Sequence, residues 1–121
     1  MRELRKFVAP EFIFGPNAIQ LLSRYLGNFG ARKVLVVTDP GVQAAGWADE
    51  VIRLIAEADL DHALFSHISA NPRDEEVMRG AALYQDEGCD IIVAVGGGSP
   101  MDCAKGIGIV STNNCHVLQF E

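Results

Sequence analysis

The chain has 121 residues, of which 49% are hydrophobic and 21% are charged, a balance typical of one globular domain with an ordinary core. Its formal net charge is -6 and its lysines and arginines form no basic cluster, which argues against nucleic acid or an anionic membrane as a partner. The three cysteines form no C-x-x-C motif, and the sequence contains neither an apolar signal segment nor a stretch of bilayer length. These features predict free thiols in a reducing compartment and a cytoplasmic protein.

The first part of the chain predicts edge strands followed by a helix. Two short apolar stretches, 7–9 and 12–14, lie on either side of Pro10 and are typical of short strands at the edge of a sheet. Apolar residues recur at helical spacing over 18–29, and Gly30 is a suitable residue to end that helix.

The next part predicts a buried strand, a turn and a second helix. The run from Lys33 to Thr38 is almost continuously apolar, as in the interior strands of a parallel sheet. Asp39-Pro40-Gly41 follows it and predicts a turn. A helix is expected over 47–58, with five residues facing inward: Trp47, Val51, Leu54, Ile55 and Ala58.

A weaker strand and a third helix are expected over 62–88. Residues 62–66 carry the strand pattern. Asn71 is placed as the N-cap of the helix, with Pro72 in its first turn and Gly88 at its end. The inner stripe of this helix is predicted to consist of four residues: Val77, Met78, Ala81 and Ala82.

The most informative segment begins with the apolar run Ile91-Ile92-Val93-Ala94-Val95, which predicts another buried strand over 90–95. Gly96-Gly97-Gly98 follows it, and Ser99-Pro100-Met101-Asp102 then has the pattern of a helix start, with Ser99 as N-cap and Asp102 as its capping partner. The helix is expected to reach about Val110, and His116-Val117-Leu118 predicts a further strand.

Strands and helices therefore alternate along residues 1–121, which predicts a single α/β domain. We expect a Rossmann-like parallel sheet with helices on both faces. Ligands of such sheets bind outside the carboxyl ends of the strands. Those ends fall at Asp39, at residues 69–71 and at the glycine segment, so we expect these three places to share one edge.

The three glycines have two interpretations. One glycine is usually enough for a tight turn between a strand and a helix, whereas three allow a backbone to approach a diphosphate closely at a helix N-terminus. The segment is neither G-x-G-x-x-G nor a P-loop, because Met101 occupies the third glycine position and no Gly-Lys-Ser/Thr follows. Phosphate binding is the favoured interpretation.

Three polar residues also keep two interpretations each. Asp39 is either a turn residue or a ligand of ribose hydroxyls that would repel a 2′-phosphate. Asp102 is either a capping partner or reaches past the phosphates toward a ribose or an amide, because a carboxylate beside a diphosphate is repulsive. Asn71 is most simply an N-cap. The three histidines form no compact ligand set, so neither a metal site nor a catalytic group is predicted within this sequence.

The segment from Gly96 to Lys105, GGGSPMDCAK, resembles the GGGSxxDxAK signature of the iron-containing (group III) alcohol dehydrogenases. Residues 12–15 and 36–41 and the pair Asn71-Pro72 support the resemblance, although Arg73 replaces the usual threonine. The resemblance implies NAD(P)-linked interconversion of alcohols and aldehydes or ketones. It also implies a Rossmann-like N-terminal domain similar to that of the dehydroquinate synthases, whose own triple-glycine motif differs from this one.

The resemblance assigns roles by position. Gly97, Gly98 and Ser99 would bind the pyrophosphate, and Asp39 would lie at the adenosine ribose and favour NAD over NADP. Asp102 would lie toward the nicotinamide half of the cofactor. Asn71 would lie near the nicotinamide and the substrate.

The family also implies a second, helical domain that holds divalent iron with one Asp and three His, and no such segment follows Glu121 in this sequence. We therefore expect the dinucleotide-binding domain of a longer enzyme. Alone, it is expected not to oxidise alcohol, and alcohol-dependent formation of NADH would contradict this. It is expected to self-associate through uncovered sheet edges. A stand-alone nucleotide-binding or regulatory module without redox chemistry is the alternative.

Overall fold

The computed structural model describes residues 11–13, 22, 30, 32–69, 74–111 and 117–120. Within these ranges the fold is a five-stranded sheet in which every neighbouring pair of strands is parallel. The strands are β1 (Glu11–Ile13), β2 (Lys33–Thr38), β3 (Asp61–Phe65), β4 (Ile91–Val95) and β5 (Val117–Phe120). Their spatial order is β1-β5-β4-β2-β3. The predicted parallel sheet is confirmed, and β1 lies at an edge as expected.

Four helices connect these strands: α1 (Pro40–Ala44), α2 (Trp47–Glu57), α3 (Asp74–Asp86) and α4 (Gly98–Ser111). Before them, Leu22 is helical and fully buried, and Gly30 has a φ of 66°. The predicted stretch 7–9 and most of the helix expected over 18–29 lie outside the described residues.

The interior strands β2 and β4 hold the sheet together. They pair from Val34 with Ile91 to Thr38 with Val95. All residues of β4 are buried, and β2 is buried from Val34 onward. Burial on both faces explains why these strands read as continuous apolar runs and why the sequence located them closely.

Helices pack on both faces of the sheet, as predicted. One face joins Leu35, Val37, Ile92 and Ala94 to helices α3 and α4. The other joins residues such as Val34 and Val93 to Leu22 and helix α2. The predicted inner residues Val51 and Ile55 lie in this second cluster.

Three residues predicted to face inward do not. Trp47 is 57% exposed and Met78 is 55% exposed, and Ala82 is also exposed. Neighbouring positions are buried instead, Ala48 on α2 and Gly80 and Tyr84 on α3. The prediction was wrong because it assigned the inner face to the larger apolar side chains, whereas small residues such as Ala48 and Gly80 are the ones that pack against the core.

The amino ends of β2 and β4 are joined by Asp90. Its Oδ1 accepts hydrogen bonds from the amides of Arg32 and Lys33 at 3.2 and 3.1 Å, and its Oδ2 accepts from the Arg32 amide at 2.9 Å. Lys33 Nζ also donates to Glu87 Oε1 at 2.6 Å, which raises the pKa of Lys33. At the amino ends of β2 and β4, the Asp90 carboxylate and the Lys33 ammonium group are therefore both bonded within the chain.

Candidate functional site

The turn between β4 and α4 requires glycine at one position. Gly96 has a φ of 126°, which side-chain-bearing residues rarely adopt. A Cβ added there would lie 3.0 Å from Val42 Cγ2 and 3.2 Å from Pro100 Cγ. Backbone conformation and close packing therefore both account for Gly96.

Neither reason accounts for Gly97 and Gly98. Neither residue has a positive φ, and a Cβ added at either would meet no atom within 4 Å. Both residues are exposed. Within the described part of the chain, an alanine would therefore fit at both positions. These two glycines therefore leave the exposed backbone beside the helix start without side chains, which is an arrangement that allows close approach to the backbone.

Helix α4 begins at Gly98, one residue earlier than predicted. The Met101 amide donates to the Gly97 carbonyl at 3.3 Å, so the helical bonds start from Gly97. Ser99 lies inside the first turn and is half-buried, so the helix begins before the residue that was predicted as its N-cap. The reason is local: the exposed glycine before Ser99 can adopt the entry conformation and opens the helix itself.

The N-terminus of α4 lacks the acidic residues that the other long helices carry there. Helix α2 has Asp49 and Glu50 in its first turn, and α3 has Asp74, Glu75 and Glu76. The first turn of α4 has no acidic residue. Carboxylates near a helix N-terminus complement the positive end of the helix dipole. At α4 this positive end is left without a charged partner from its own first turn, as in a site that receives an anion.

Asp39 lies at the same edge as the glycine turn. The predicted turn at residues 39–41 is instead the start of helix α1, with Asp39 as its N-cap and Pro40 in its first turn. Asp39 Oδ1 accepts a hydrogen bond from the Val42 amide at 2.8 Å. Its Oδ2 lies 3.8 Å from the position of a Cβ added at Gly96. One carboxylate oxygen thus caps the helix while the other lies beside the glycine turn.

A fully buried threonine holds these two parts together. Thr38 Oγ1 donates to the Val95 carbonyl at 2.9 Å, between the last residues of β2 and β4. Sequence reasoning missed this residue. The available signal was a hydroxyl at the end of an otherwise apolar run, immediately before Asp39.

Two predicted site residues remain, Asp102 and Asn71. Asp102 is exposed on α4, and its carboxylate makes no hydrogen bond or ion pair with residues that the structure describes. The predicted capping role of Asp102 is therefore wrong, because the helix starts too early for it. Asn71 lies outside the described residues, so the third part of the predicted edge is represented only by residues up to Ser69.

Other chemistry is sparse in the described ranges. Burial raises the pKa of the free thiols of Cys89 and Cys103 from 9.0 to about 11, so both stay protonated at neutral pH. No group of three or more His, Cys, Asp or Glu residues is placed to hold a metal ion in this part of the chain. Among the described helices, none is long and apolar enough to cross a membrane.

Comparison with known proteins identifies the family. The chain is 43% identical over 109 residues to the 1,3-propanediol dehydrogenase of Klebsiella pneumoniae and 36% identical over 115 residues to the NAD-dependent methanol dehydrogenase of Bacillus methanolicus. These matches cover 88% and 95% of this chain but only 28% and 30% of the relatives. The chain thus spans less than a third of the length of the curated relatives it matches.

A solved structure agrees with these relatives. The crystal structure of a 1,3-propanediol oxidoreductase matches with a TM-score of 0.79 and 44% identity, over 84% of this chain and 26% of that protein. The family model for iron-containing alcohol dehydrogenases matches residues 9–121. The chain therefore belongs to the iron-containing alcohol dehydrogenase family, as its glycine segment indicated.

Proposed function

We propose that this chain is the dinucleotide-binding part of an NAD-dependent, iron-containing alcohol dehydrogenase that interconverts alcohols and aldehydes or ketones by hydride transfer. Family membership supports the reaction class. The observation that carries the proposal for this chain is the exposed pair Gly97 and Gly98 at the start of α4, where an added Cβ would meet no atom within 4 Å.

The pyrophosphate of the cofactor is proposed to lie at Gly97, Gly98 and Ser99. This position combines two glycines that carry no side chain with the positive end of a 14-residue helix whose first turn has no acidic residue. The chain has a net charge of -6, so an anion has to be attracted by such local features and not by the overall charge.

Asp39 is proposed to bind the adenosine ribose and to favour NAD over NADP. Its Oδ1 is used by the Val42 amide, and its Oδ2 lies on the side of the glycine turn. A carboxylate oxygen there can accept hydrogen bonds from ribose hydroxyls and would repel a 2′-phosphate. The helix cap fixes the orientation of this carboxylate, so structural and binding roles are compatible.

Asp102 and Asn71 are proposed to lie farther along the cofactor, toward its nicotinamide half. The exposure of Asp102 on α4, beyond the first turn, supports a contact outside the chain's own core. For Asn71 the support is the resemblance to the family alone.

Bound NAD supplies the hydride acceptor for the alcohol. The residues of this chain orient it: the glycine turn fixes the linked phosphates and Asp39 fixes the adenosine end. We propose that the iron ligands belong to a part of the enzyme outside residues 1–121, and that the substrate is a small alcohol or aldehyde.

Calorimetric titration with NAD, NADP and ADP-ribose tests this function. We expect NAD and ADP-ribose to bind and NADP to bind more weakly. Indifference to all three ligands would contradict the proposal. A further titration with ADP tests the alternative, because affinity for ADP equal to that for NAD would favour a nucleotide module without redox chemistry.

An Asp39→Asn variant sharpens the experiment. The asparagine keeps an oxygen for the Val42 amide but removes the negative charge, so the preference for NAD over NADP should shrink roughly tenfold. Asp49→Asn is the matched control, because it removes an exposed first-turn carboxylate from α2. An equal change of preference in both variants would contradict the assignment of Asp39.

A cytoplasmic location and self-association also remain proposals. The free thiols of Cys89 and Cys103 support a reducing compartment. Strands β1 and β3 lie at the two edges of the described sheet, which supports pairing with a second copy. Sedimentation of a clean monomer at high protein concentration would contradict self-association.

A further inference from the structure

We propose that Thr38 is a positioning residue, whose hydroxyl fixes the Asp39 carboxylate and the glycine turn in the relative placement that the dinucleotide needs. The inference rests on the proposed function for its biological meaning. Its structural content, a coupling between two strand ends, can be tested without any cofactor.

The contact itself joins two strand ends. Thr38 and Val95 are the last residues of β2 and β4 and are paired in the sheet register. The Thr38 hydroxyl donates to the Val95 carbonyl at 2.9 Å. The next residues along the chain are Asp39 and Gly96, so the bond lies one residue away from both halves of the proposed site.

The position is otherwise suited to valine. Thr38 is fully buried, and it is the only buried polar or charged residue in the part of the chain that the structure describes. Valine has nearly the same shape and occupies the preceding positions Val36 and Val37, also fully buried. A hydroxyl in an apolar interior is costly unless it is bonded, so its presence indicates a need for the bond and not for the volume.

The turn after Val95 explains this need. Gly96 has a φ of 126°, and a Cβ added there would lie 3.0 Å from Val42 Cγ2 and 3.2 Å from Pro100 Cγ, so the backbone has a special conformation in a closely packed place. The strand pairing from Val34 to Val37 already holds β2 and β4 together below this point. The hydroxyl adds a further link at the last position, where the sheet ends and the site begins. A site held in its binding geometry before the ligand arrives binds more tightly, because no ordering is required on binding.

The test compares a variant that removes the hydroxyl with one that keeps it. Thr38→Val keeps the shape and removes the donor, whereas Thr38→Ser keeps the donor. We expect the dissociation constant for NAD to rise roughly tenfold in Thr38→Val and to stay within about twofold of the original in Thr38→Ser. If Thr38→Val does not fold, Thr38→Ala against Thr38→Ser gives the same comparison, since these two side chains differ by one oxygen.

A control separates positioning from general loss of stability. Ile92→Val removes one methylene from a fully buried residue of β4. This variant should lower the melting temperature without changing the carboxyl ends of β2 and β4. We expect its NAD affinity to be unchanged. If Ile92→Val weakens binding as much as Thr38→Val, or if Thr38→Val binds as the original chain does, the inference is overturned.

A cofactor-free measurement separates this inference from the proposed function. Amide resonances of Gly96, Gly97 and Gly98 should move in Thr38→Val and remain near their original positions in Thr38→Ser and Ile92→Val. If the original chain binds no NAD, the proposed function fails, while these shifts still decide whether Thr38 holds the turn. Unmoved glycine resonances in Thr38→Val would overturn the coupling even in a chain that binds NAD.

Discussion

An aspartate lies at the amino ends of strands β2 and β4 and another lies at their carboxyl ends, and the two aspartates make different contacts. We call these two sides of the sheet the amino edge and the carboxyl edge. At the amino edge, both oxygens of Asp90 accept hydrogen bonds from the amides of Arg32 and Lys33. At the carboxyl edge, Asp39 Oδ1 accepts one bond, from the Val42 amide, and Oδ2 lies beside the glycine turn. At the amino edge, both carboxylate oxygens are used by amides of the chain itself. At the carboxyl edge, one carboxylate oxygen of Asp39 lies beside glycines that carry no side chain.

The glycines show the same difference. Gly88, near the amino edge, has a φ of 68° and ends α3, so the backbone explains it. At the carboxyl edge the backbone explains Gly96 but neither Gly97 nor Gly98. Under the proposed function, a glycine that folding does not require is a better pointer to a ligand than a glycine in a special conformation.

The largest expected effect is on stability at Gly96. Gly96→Ala should lower the free energy of unfolding by about 3 kcal/mol, because the added Cβ meets Val42 and Pro100 and the φ is unfavourable. Gly88→Ala, which meets no atom within 4 Å, should cost only about 1 kcal/mol. Urea denaturation of both variants checks the difference, and equal losses would contradict the distinction between packing and conformation.

A smaller effect is expected from the two aspartates. Asp90→Ala should lower the free energy of unfolding by about 2 kcal/mol, because the Arg32 and Lys33 amides lose their acceptor. Asp39→Ala removes one capping bond and should cost about 1 kcal/mol. In calorimetric titration the first variant should bind NAD normally and the second weakly. Weakened binding in Asp90→Ala alone would reverse the roles given to the two edges.

A separate effect, confined to alkaline solution, is a dependence of stability on pH. The pKa values of Cys89, near the amino edge, and Cys103, in α4, are raised by burial from 9.0 to about 11. Between about pH 9 and 11 the folded chain therefore keeps protons that the unfolded chain releases. The contribution of these thiols to the free energy of unfolding is fully present below about pH 9 and is lost as the pH rises to about 11. Denaturation across this range should show a shallower decline in Cys103→Ala. An equal decline in that variant would contradict the assignment to Cys103.

The sequence predicted the strands better than the details of the site. Continuous apolar runs locate β2 and β4 because both faces of these strands are buried. The signals at Asp39 and Ser99 were ambiguous for a physical reason. Asp-Pro-Gly suits a turn and a helix start equally, and a serine after glycine competes with that glycine as the first helical cap.

Contacts between distant residues could not be predicted in the same way. Local patterns do not show that Thr38 reaches the Val95 carbonyl or that Asp39 Oδ2 lies beside Gly96, because both depend on the register of β2 with β4. The direction of Trp47 also depends on packing partners and not on spacing alone. The strand, glycine turn and helix that carry the motif were therefore predictable, and the contacts that connect Asp39 and Thr38 to this turn were not.

The central claim is that Gly98 is kept for a ligand and not for the fold. Gly98→Ala adds a Cβ that meets no atom within 4 Å in the first turn of a helix. Its free energy of unfolding should be unchanged or higher by up to about 1 kcal/mol, while its affinity for NAD should fall at least roughly tenfold. Calorimetry and urea denaturation of this one variant measure both quantities. Unchanged NAD affinity in a stably folded Gly98→Ala chain would contradict the account.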